Sequence, residues 1–285
     1  MKILVTGATG FIGNHLIKEL LKNQSIKVIA TSRDKEKAKN FKWFNQVDYI
    51  PYDFNLLDNS NLYEFFNKPD KVIHLAWDGL PDYDNLIHIE KNLLNHYKFI
   101  KNMIENGLKD ITITGTCFEY GMVNGCLSEN MNTKPLNSYA IAKDSLRKFI
   151  EELNKKFDFD YKWIRLFYMY GEGQSQKSLI SLLDKAIENG DKEFKMSSGE
   201  QLRDFSHIDD VVKNILLISN QDLYKNQVIN CCSGKPISIR RLVEKYLKEK
   251  KCDLKLNLGF YPYPNYEPIA FWGDNLKLQR IINEL

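Results

Sequence analysis

The segment Thr6-Gly7-Ala8-Thr9-Gly10-Phe11-Ile12-Gly13 constrains this chain more than any other. It follows the apolar run Ile3-Leu4-Val5 and opens a stretch in which Ile12, Leu16 and Leu20 recur at helical spacing. Strand, glycine-rich turn and helix in that order build a dinucleotide-binding site. Gly7 turns the chain tightly off the strand, Gly10 clears space for a pyrophosphate against the backbone, and Gly13 lets the helix approach the sheet. The helix N-terminus, with Thr9, Phe11 and Ile12 around it, offers free N–H groups and the positive end of its dipole to phosphates.

Short apolar strands alternate with helical stretches through the first two-thirds of the chain. The expected strands are Ile3–Thr6, Lys27–Thr31, Val47–Pro51, Lys71–Leu75, Ile111–Thr114 and Tyr161–Leu166; the expected helices are Phe11–Leu21, Lys35–Phe44, Asn61–Phe66, Asn85–Asn106 and Ser138–Lys156. This alternation implies an α/β fold with a doubly wound parallel sheet. After residue 166 the pattern changes to glycine-rich turns around helices at Ser178–Asn189 and Ser238 to about Glu249, a strand at Val228–Asn230, and an irregular tail with three prolines between Tyr261 and Pro268. The expected division is therefore a dinucleotide-binding domain over 1–166, to which part of about 205–232 returns, and a smaller substrate lobe over 167–285.

The 285 residues carry a net charge of only +3, so nothing points to a nucleic-acid partner. No apolar run is long enough to span a membrane, and the N-terminus lacks the pattern of a signal peptide. Five cysteines without framework or metal-ligand spacing suggest reduced thiols, a cytoplasmic location and no metal site.

A second motif carries the chemistry. In Tyr139-Ala-Ile-Ala-Lys143, at a helix start that Asn137 or Ser138 caps, the phenol and the ammonium share one helical face. A nearby cation is expected to favour the phenolate, which suits a general acid/base acting on a sugar hydroxyl. A packed tyrosine beside a solvated lysine is the bland alternative. Thr116, just past the fifth strand, adds weight because strand C-termini face the ligand crevice of a doubly wound sheet.

With these motifs the sequence resembles the extended short-chain dehydrogenase/reductase family, the branch of sugar-nucleotide epimerases, dehydratases and reductases. The matching pieces recur in order. Asp53-Phe54 corresponds to the adenine contact, His74-Leu75-Ala76 followed by Trp77 to the cofactor-lining strand end, and Asn92 to the helix asparagine that props the active-site loops. Thr114-Gly-Thr-Cys-Phe-Glu-Tyr-Gly121 corresponds to the loop with the catalytic Ser/Thr, and Arg203-Asp-Phe-Ser-His-Ile-Asp-Asp210 to the segment whose arginine meets the nucleotide diphosphate. The resemblance makes Tyr139 the acid/base, Lys143 its tuner and the ribose ligand, and Thr116 the hydrogen-bonding partner of the reacting oxygen. Thr114 then lies at the cofactor, and Cys117, Phe118 and Arg203 face the substrate. Single members keep structural alternatives: Asn92 as a satisfied buried amide, and Arg203 paired with Asp204 or Asp209. His207 reads as structural. Asp78 and Glu119 stay outside the catalytic set, since most loop carboxylates are solvated.

At the tip of the second strand, Ser32 and Arg33 offer a hydroxyl and a guanidinium to a 2′-phosphate, favouring NADP over NAD; a one-residue slip would instead make Asp34 the NAD-selecting acid. Cys117 and Phe118 stand where the family's 4,6-dehydratases carry Asp-Glu, and Phe118 stands where the GDP-fucose-forming enzymes need a cysteine. The resemblance then implies a 4-ketoreductase of deoxysugar nucleotides, dTDP- or CDP-linked, working in surface-polysaccharide biosynthesis and similar to the dTDP-6-deoxyhexose 4-reductases and CDP-abequose synthase. The alternatives are an NAD-dependent 4-epimerase and a non-catalytic dinucleotide-binding protein. Apolar residues on more than one face of the helices at 85–106 and 138–156 suggest a homodimer through a four-helix bundle.

Overall fold

The computed structural model describes residues 1–56, 60–263 and 267–284. Residues 264–266, in the proline-rich tail, lie outside the described residues.

The main sheet contains β1 (Lys2–Thr6), β2 (Lys27–Thr31), β3 (Asp48–Tyr49), β4 (Lys71–His74), β5 (Asp110–Thr116), β7 (Asp160–Leu166) and β11 (Gln227–Cys231). Their order is β11-β7-β5-β4-β1-β2-β3, with every pairing parallel. Parallel strands need crossovers, and helices on both faces supply them. On β1 the alternation is explicit: Ile3 and Val5 pack into one core, Leu4 into the other. The first core receives Leu16 and Ile17 of α1 (Phe11–Leu20), Ile215 of α7 (Ile208–Asn220) and Ile281 of α9 (Leu276–Glu284). The second receives Leu62 of α3 (Leu62–Phe65), Phe99 and Met103 of α4 (Leu93–Glu105), and Leu146 and Ile150 of α5 (Ser138–Asn154). The architecture is the doubly wound α/β fold that the alternation implies.

Two expected helices break up. The stretch 35–44 is helical only over α2 (Lys35–Lys39), because Trp43 turns inward, buried, and donates to Asn14 Oδ1 at 3.0 Å. The stretch 85–106 begins as a turn, passes through a π-helical turn over His88–Asn92, and becomes α4 only at Leu93. Such turns cluster at functional sites, and this one faces the crevice. Helices α7 and α9 carry no early signal that the sequence reading used; they close the face behind α1.

The C-terminal third adds α6 (Leu179–Glu188) and α8 (Ile239–Lys250), joined by β9 (Glu193–Lys195) and β13 (Lys255–Asn257) around Leu183, Phe194 and Val243. A small sheet of β8 (Tyr168–Tyr170), β10 (Leu202–His207) and β12 (Pro236–Ser238), with β6 (Gly125–Leu127) paired to β14 (Phe271–Gly273), lies between this lobe and the strand tips.

Candidate functional site

At the C-terminal ends of β1, β2 and β4 lies a cavity of about 450 Å³. Gly7, at φ +69°, enters a conformation that suits glycine, and a Cβ there would stand 2.9 Å from Ala76 N. A Cβ on Gly13 would collide with the Gly7 carbonyl oxygen. Gly10 caps α1 without a side-chain hydrogen bond, so the first N–H groups of the helix stay available to an anion. These features fit a dinucleotide pyrophosphate. Gly7, Thr9, Gly10, Ser32, Arg33, Phe54, Leu75, Ala76, Trp77 and Asn92 all line the cavity. Phe11 and Ile12 begin α1 beside it. Asp53 is turned into its own loop, accepting from Asn55 N and Nδ2 at 2.9 and 3.0 Å.

The tip of β2 differs from the sequence expectation. Tyr49 donates its hydroxyl to Ser32 O at 2.9 Å, so the 2.8 Å contact between the two hydroxyls is donated by Ser32. The Ser32 proton is thereby spent and not offered to a phosphate. Arg33 is ion-paired with Asp78 at 2.8 Å, which brings Asp78 to the cavity wall. Asp34 is the cap of α2, accepting from Lys37 N at 2.9 Å. Asn92 is buried, and its Nδ2 donates to Asp78 O at 3.0 Å. Lys37, Tyr52, Asn55, Asn95 and His96, which the sequence reading did not single out, complete the wall.

Beyond Trp77 the cavity gives way to the tip of β5. Thr116 is the last residue of that strand and starts a tight turn, its Oγ1 accepting from Phe118 N at 3.3 Å. Asn137 caps α5 through Ala140 N at 2.8 Å, which sets Tyr139 and Lys143 one turn apart on the face toward β5. Thr116, Tyr139 and Lys143 are all buried, with the Tyr139 phenol close enough to the Thr116 hydroxyl to feel it electrostatically. Lys143 Nζ donates to Thr114 O at 2.8 Å and lies 4.0 Å from the Trp77 ring centroid. Thr114 therefore serves Lys143 through its carbonyl, while its hydroxyl donates to His74 O at 3.3 Å.

Electrostatics here run opposite to the expectation of a cation-stabilised phenolate. Burial pushes the Tyr139 phenol up, with Tyr83, Glu119 and Cys117 reinforcing and the nearby Thr116 hydroxyl opposing. Burial lowers the Lys143 ammonium to about 7 despite Glu119. The physical reason is that desolvation of both groups outweighs any mutual support while Lys143 points at Thr114 O and the indole face. The Cys117 thiol is likewise pushed up by burial and is no base. Phe118 meets Tyr83 and Tyr168 edge-on at 5.1 and 6.2 Å, so aromatic rings line this side of Thr116.

Glu119 is not solvated. It is fully buried, accepting from Thr116 N (2.9 Å), Trp163 Nε1 (3.0 Å) and Arg165 Nε (2.7 Å). Its readable signal was the Thr-x-x-Glu spacing of a capping box from Thr116. Arg203 pairs with neither Asp204 nor Asp209: its Nη2 meets Glu267 Oε2 at 2.8 Å, and its guanidinium lies 4.6 Å from the Phe271 ring. Asp204 instead receives Ser233 N, Ser233 Oγ and Gly234 N, while His207 bonds Asp209 at the helix start. Tyr168 donates to Glu267 at 2.5 Å, so Arg203 and Phe118 are linked through Glu267 and Tyr168. Among the described residues no cluster of His, Cys, Asp and Glu has metal-binding geometry, and no helix is long and apolar enough to cross a membrane.

The family model for the NAD dependent epimerase/dehydratase family matches residues 3–232. The chain belongs to that family. Similar members include the dTDP-6-deoxy-L-talose 4-dehydrogenase (NAD(+)) of Aggregatibacter actinomycetemcomitans, 32% identical over 96% of this chain and 99% of that protein. The dTDP-4-dehydro-6-deoxyglucose reductase of Escherichia coli is 28% identical over 90% of this chain and 84% of its own. Among solved structures of this epimerase/dehydratase fold, UDP-glucuronic acid 4-epimerase from Bacillus cereus, in complex with UDP-glucuronic acid and NAD, superposes with a TM-score of 0.84 at 26% identity, covering 99% of this chain and 93% of that one. The protein is thus a sugar-nucleotide-modifying enzyme of an NAD(P)-dependent family.

Proposed function

We propose that the protein is a reductase of a nucleotide-linked 4-keto-6-deoxy sugar, dTDP- or CDP-linked, acting at C4 with NADPH. The observation that carries this reading is the placement of Tyr139: buried beside Thr116 at the tip of β5, one helical turn from Lys143, and kept protonated by burial, it is a proton donor, the form that ketone reduction consumes. The bound dinucleotide supplies the hydride. Tyr139 gives its proton to the developing alkoxide, Thr116 holds that oxygen in line, and Lys143 stabilises the phenolate left behind. The rings of Phe118, Tyr83 and Tyr168 restrict the sugar to one face, and Arg203 is the cation available to the diphosphate once Glu267 yields. NADPH over NADH rests on Arg33 and Lys37 at the cavity wall, with Asp34 committed to capping α2.

A second reading, an NAD-dependent 4-epimerase, is favoured by the Arg33–Asp78 ion pair, which neutralises the guanidinium, and by the likeness to the B. cereus 4-epimerase. The test is a panel of dTDP-, CDP-, GDP- and UDP-4-keto sugars with NADPH or NADH, with product configuration read by NMR. Stoichiometric NADPH oxidation to a C4 alcohol supports the reductase. Interconversion of two sugar nucleotides without net oxidation overturns it in favour of the epimerase.

We further propose a homodimer. Leu94 of α4 and Ile141 and Phe149 of α5 stay exposed although the opposite faces of both helices are buried. A monomeric mass by light scattering at micromolar concentration rejects it.

A further inference from the structure

A chain of hydrogen bonds runs from the first strand to the cavity wall. Thr6 Oγ1 accepts from both Leu75 N and Ala76 N, each at 3.1 Å. With those lone pairs taken, its proton has one destination, His74 Nδ1 at 2.9 Å. A neutral His74 that accepts at Nδ1 carries its proton on Nε2 and donates to His96 Nδ1 at 2.9 Å. His96 in turn must carry its proton on Nε2. Burial keeps both rings neutral, His74 down at about 3 and His96 well below the usual range.

His96 is only 3% exposed, yet it lines the dinucleotide cavity. Its ring stacks on Trp77 at 4.8 Å and tilts against Phe54 at 4.8 Å, so packing fixes its plane as firmly as the hydrogen bond fixes its tautomer. Among the described residues Nε2 has no protein partner. Nε2 is not among the solvent-excluded unpartnered atoms, so this donor keeps access to an acceptor from the cavity that His96 lines.

We propose that His96 is a dinucleotide-binding residue whose Nε2–H, held in place by the Thr6–His74 relay, donates to an acceptor atom of the bound cofactor. The donor is neutral and pre-oriented, so binding need not order it. This inference rests on the reading of the cavity as the dinucleotide site, and the experiment separates the two.

Dissociation constants for NADP⁺ and NAD⁺ are measured by titration calorimetry on the full chain, for the wild type, His96→Phe and His96→Gln. Phenylalanine keeps the ring against Trp77 and Phe54 without a donor; glutamine places an amide nitrogen near the Nε2 position. The expected result is about tenfold weaker binding in His96→Phe and most of the affinity kept in His96→Gln. Thermal melts confirm that each variant is folded, and His96→Leu, which also lacks a donor, replaces His96→Phe if it is not. Wild-type affinity in both variants, or an equal loss in both, overturns the donor role. A wild type that binds neither dinucleotide overturns the cavity reading and this inference with it.

Discussion

Arg33 Nη1 and Asp78 Oδ2 stand 2.8 Å apart across the mouth of the dinucleotide cavity. The pair joins the tip of β2 to the loop after β4, and on the proposed reading it sets the charge that a ribose 2′-substituent meets. Both side chains are partly exposed, so the pair itself adds little stability. Arg33→Ala is expected to weaken NADPH by about 1.5–3 kcal/mol, the value of a charge-assisted hydrogen bond, and to leave NADH unchanged. Asp78→Asn frees the guanidinium and is expected to tighten NADPH. Equal losses for both cofactors in Arg33→Ala would show that the tip does not select.

Tyr139→Phe removes the proton but keeps the ring packed against Trp77 and Tyr83. Turnover is expected to fall by about 10²–10⁴-fold with dinucleotide affinity little changed. Lys143→Ala is expected to damage both. Stopped-flow turnover with separate binding titrations distinguishes them, and near-normal turnover in Tyr139→Phe would assign the proton to another group.

Glu119 and Arg165 form a buried pair beneath Thr116, and removing one partner strands the other charge. Glu119→Gln is expected to cost about 3–5 kcal/mol in urea unfolding and to lower turnover more than it raises KM, because the amide offers one acceptor oxygen where the two carboxylate oxygens served Thr116 N and Arg165 Nε, which then compete for it. Adding Arg165→Met leaves the glutamine oxygen to Thr116 N and should restore part of both the stability and the turnover. Unchanged turnover in folded Glu119→Gln would remove Glu119 from the positioning of Thr116.

Burial holds Lys143 at about 7, below the ordinary lysine value of 10.5. Between those pH values the unfolded chain binds the proton that the folded chain has lost, so unfolding free energy gains a term that rises with pH across that window. Lys143→Met should flatten that part of the profile. Dinucleotide phosphates raise the lysine's pKa, so binding at pH 8 is expected to take up protons, read by calorimetry in buffers of different ionisation enthalpy. No proton uptake would mean that Lys143 is already charged in the free protein.

Much of the fold was legible because it rests on local rules. The glycine turn at Gly7–Gly13, the buried strands Lys27–Thr31 and Asp160–Leu166 and the capped helix at Ser138 follow from periodicity and turn chemistry, and each lies within a residue or two of its expected place. The lobe was harder to read. Strands of three residues, such as Tyr168–Tyr170 and Phe271–Gly273, carry too few alternations to register, and they exist because distant partners pair with them.

The sequence by itself determined which groups the site contains: the glycine turn, Thr116, Tyr139, Lys143, and their delivery to the strand tips by a parallel α/β alternation. Backbone geometry and spacing encode those directly. Only the tertiary structure decided their partners and charge states. Glu119 is a buried anchor because Trp163 and Arg165 reach it from β7; Arg203 is held by Glu267, 64 residues away. Tyr139 and Lys143 are shifted by desolvation, which depends on everything packed around them. His96 received its tautomer from Thr6 through His74, across 68 and 22 residues of chain, and no local pattern encodes a hydrogen bond over that separation.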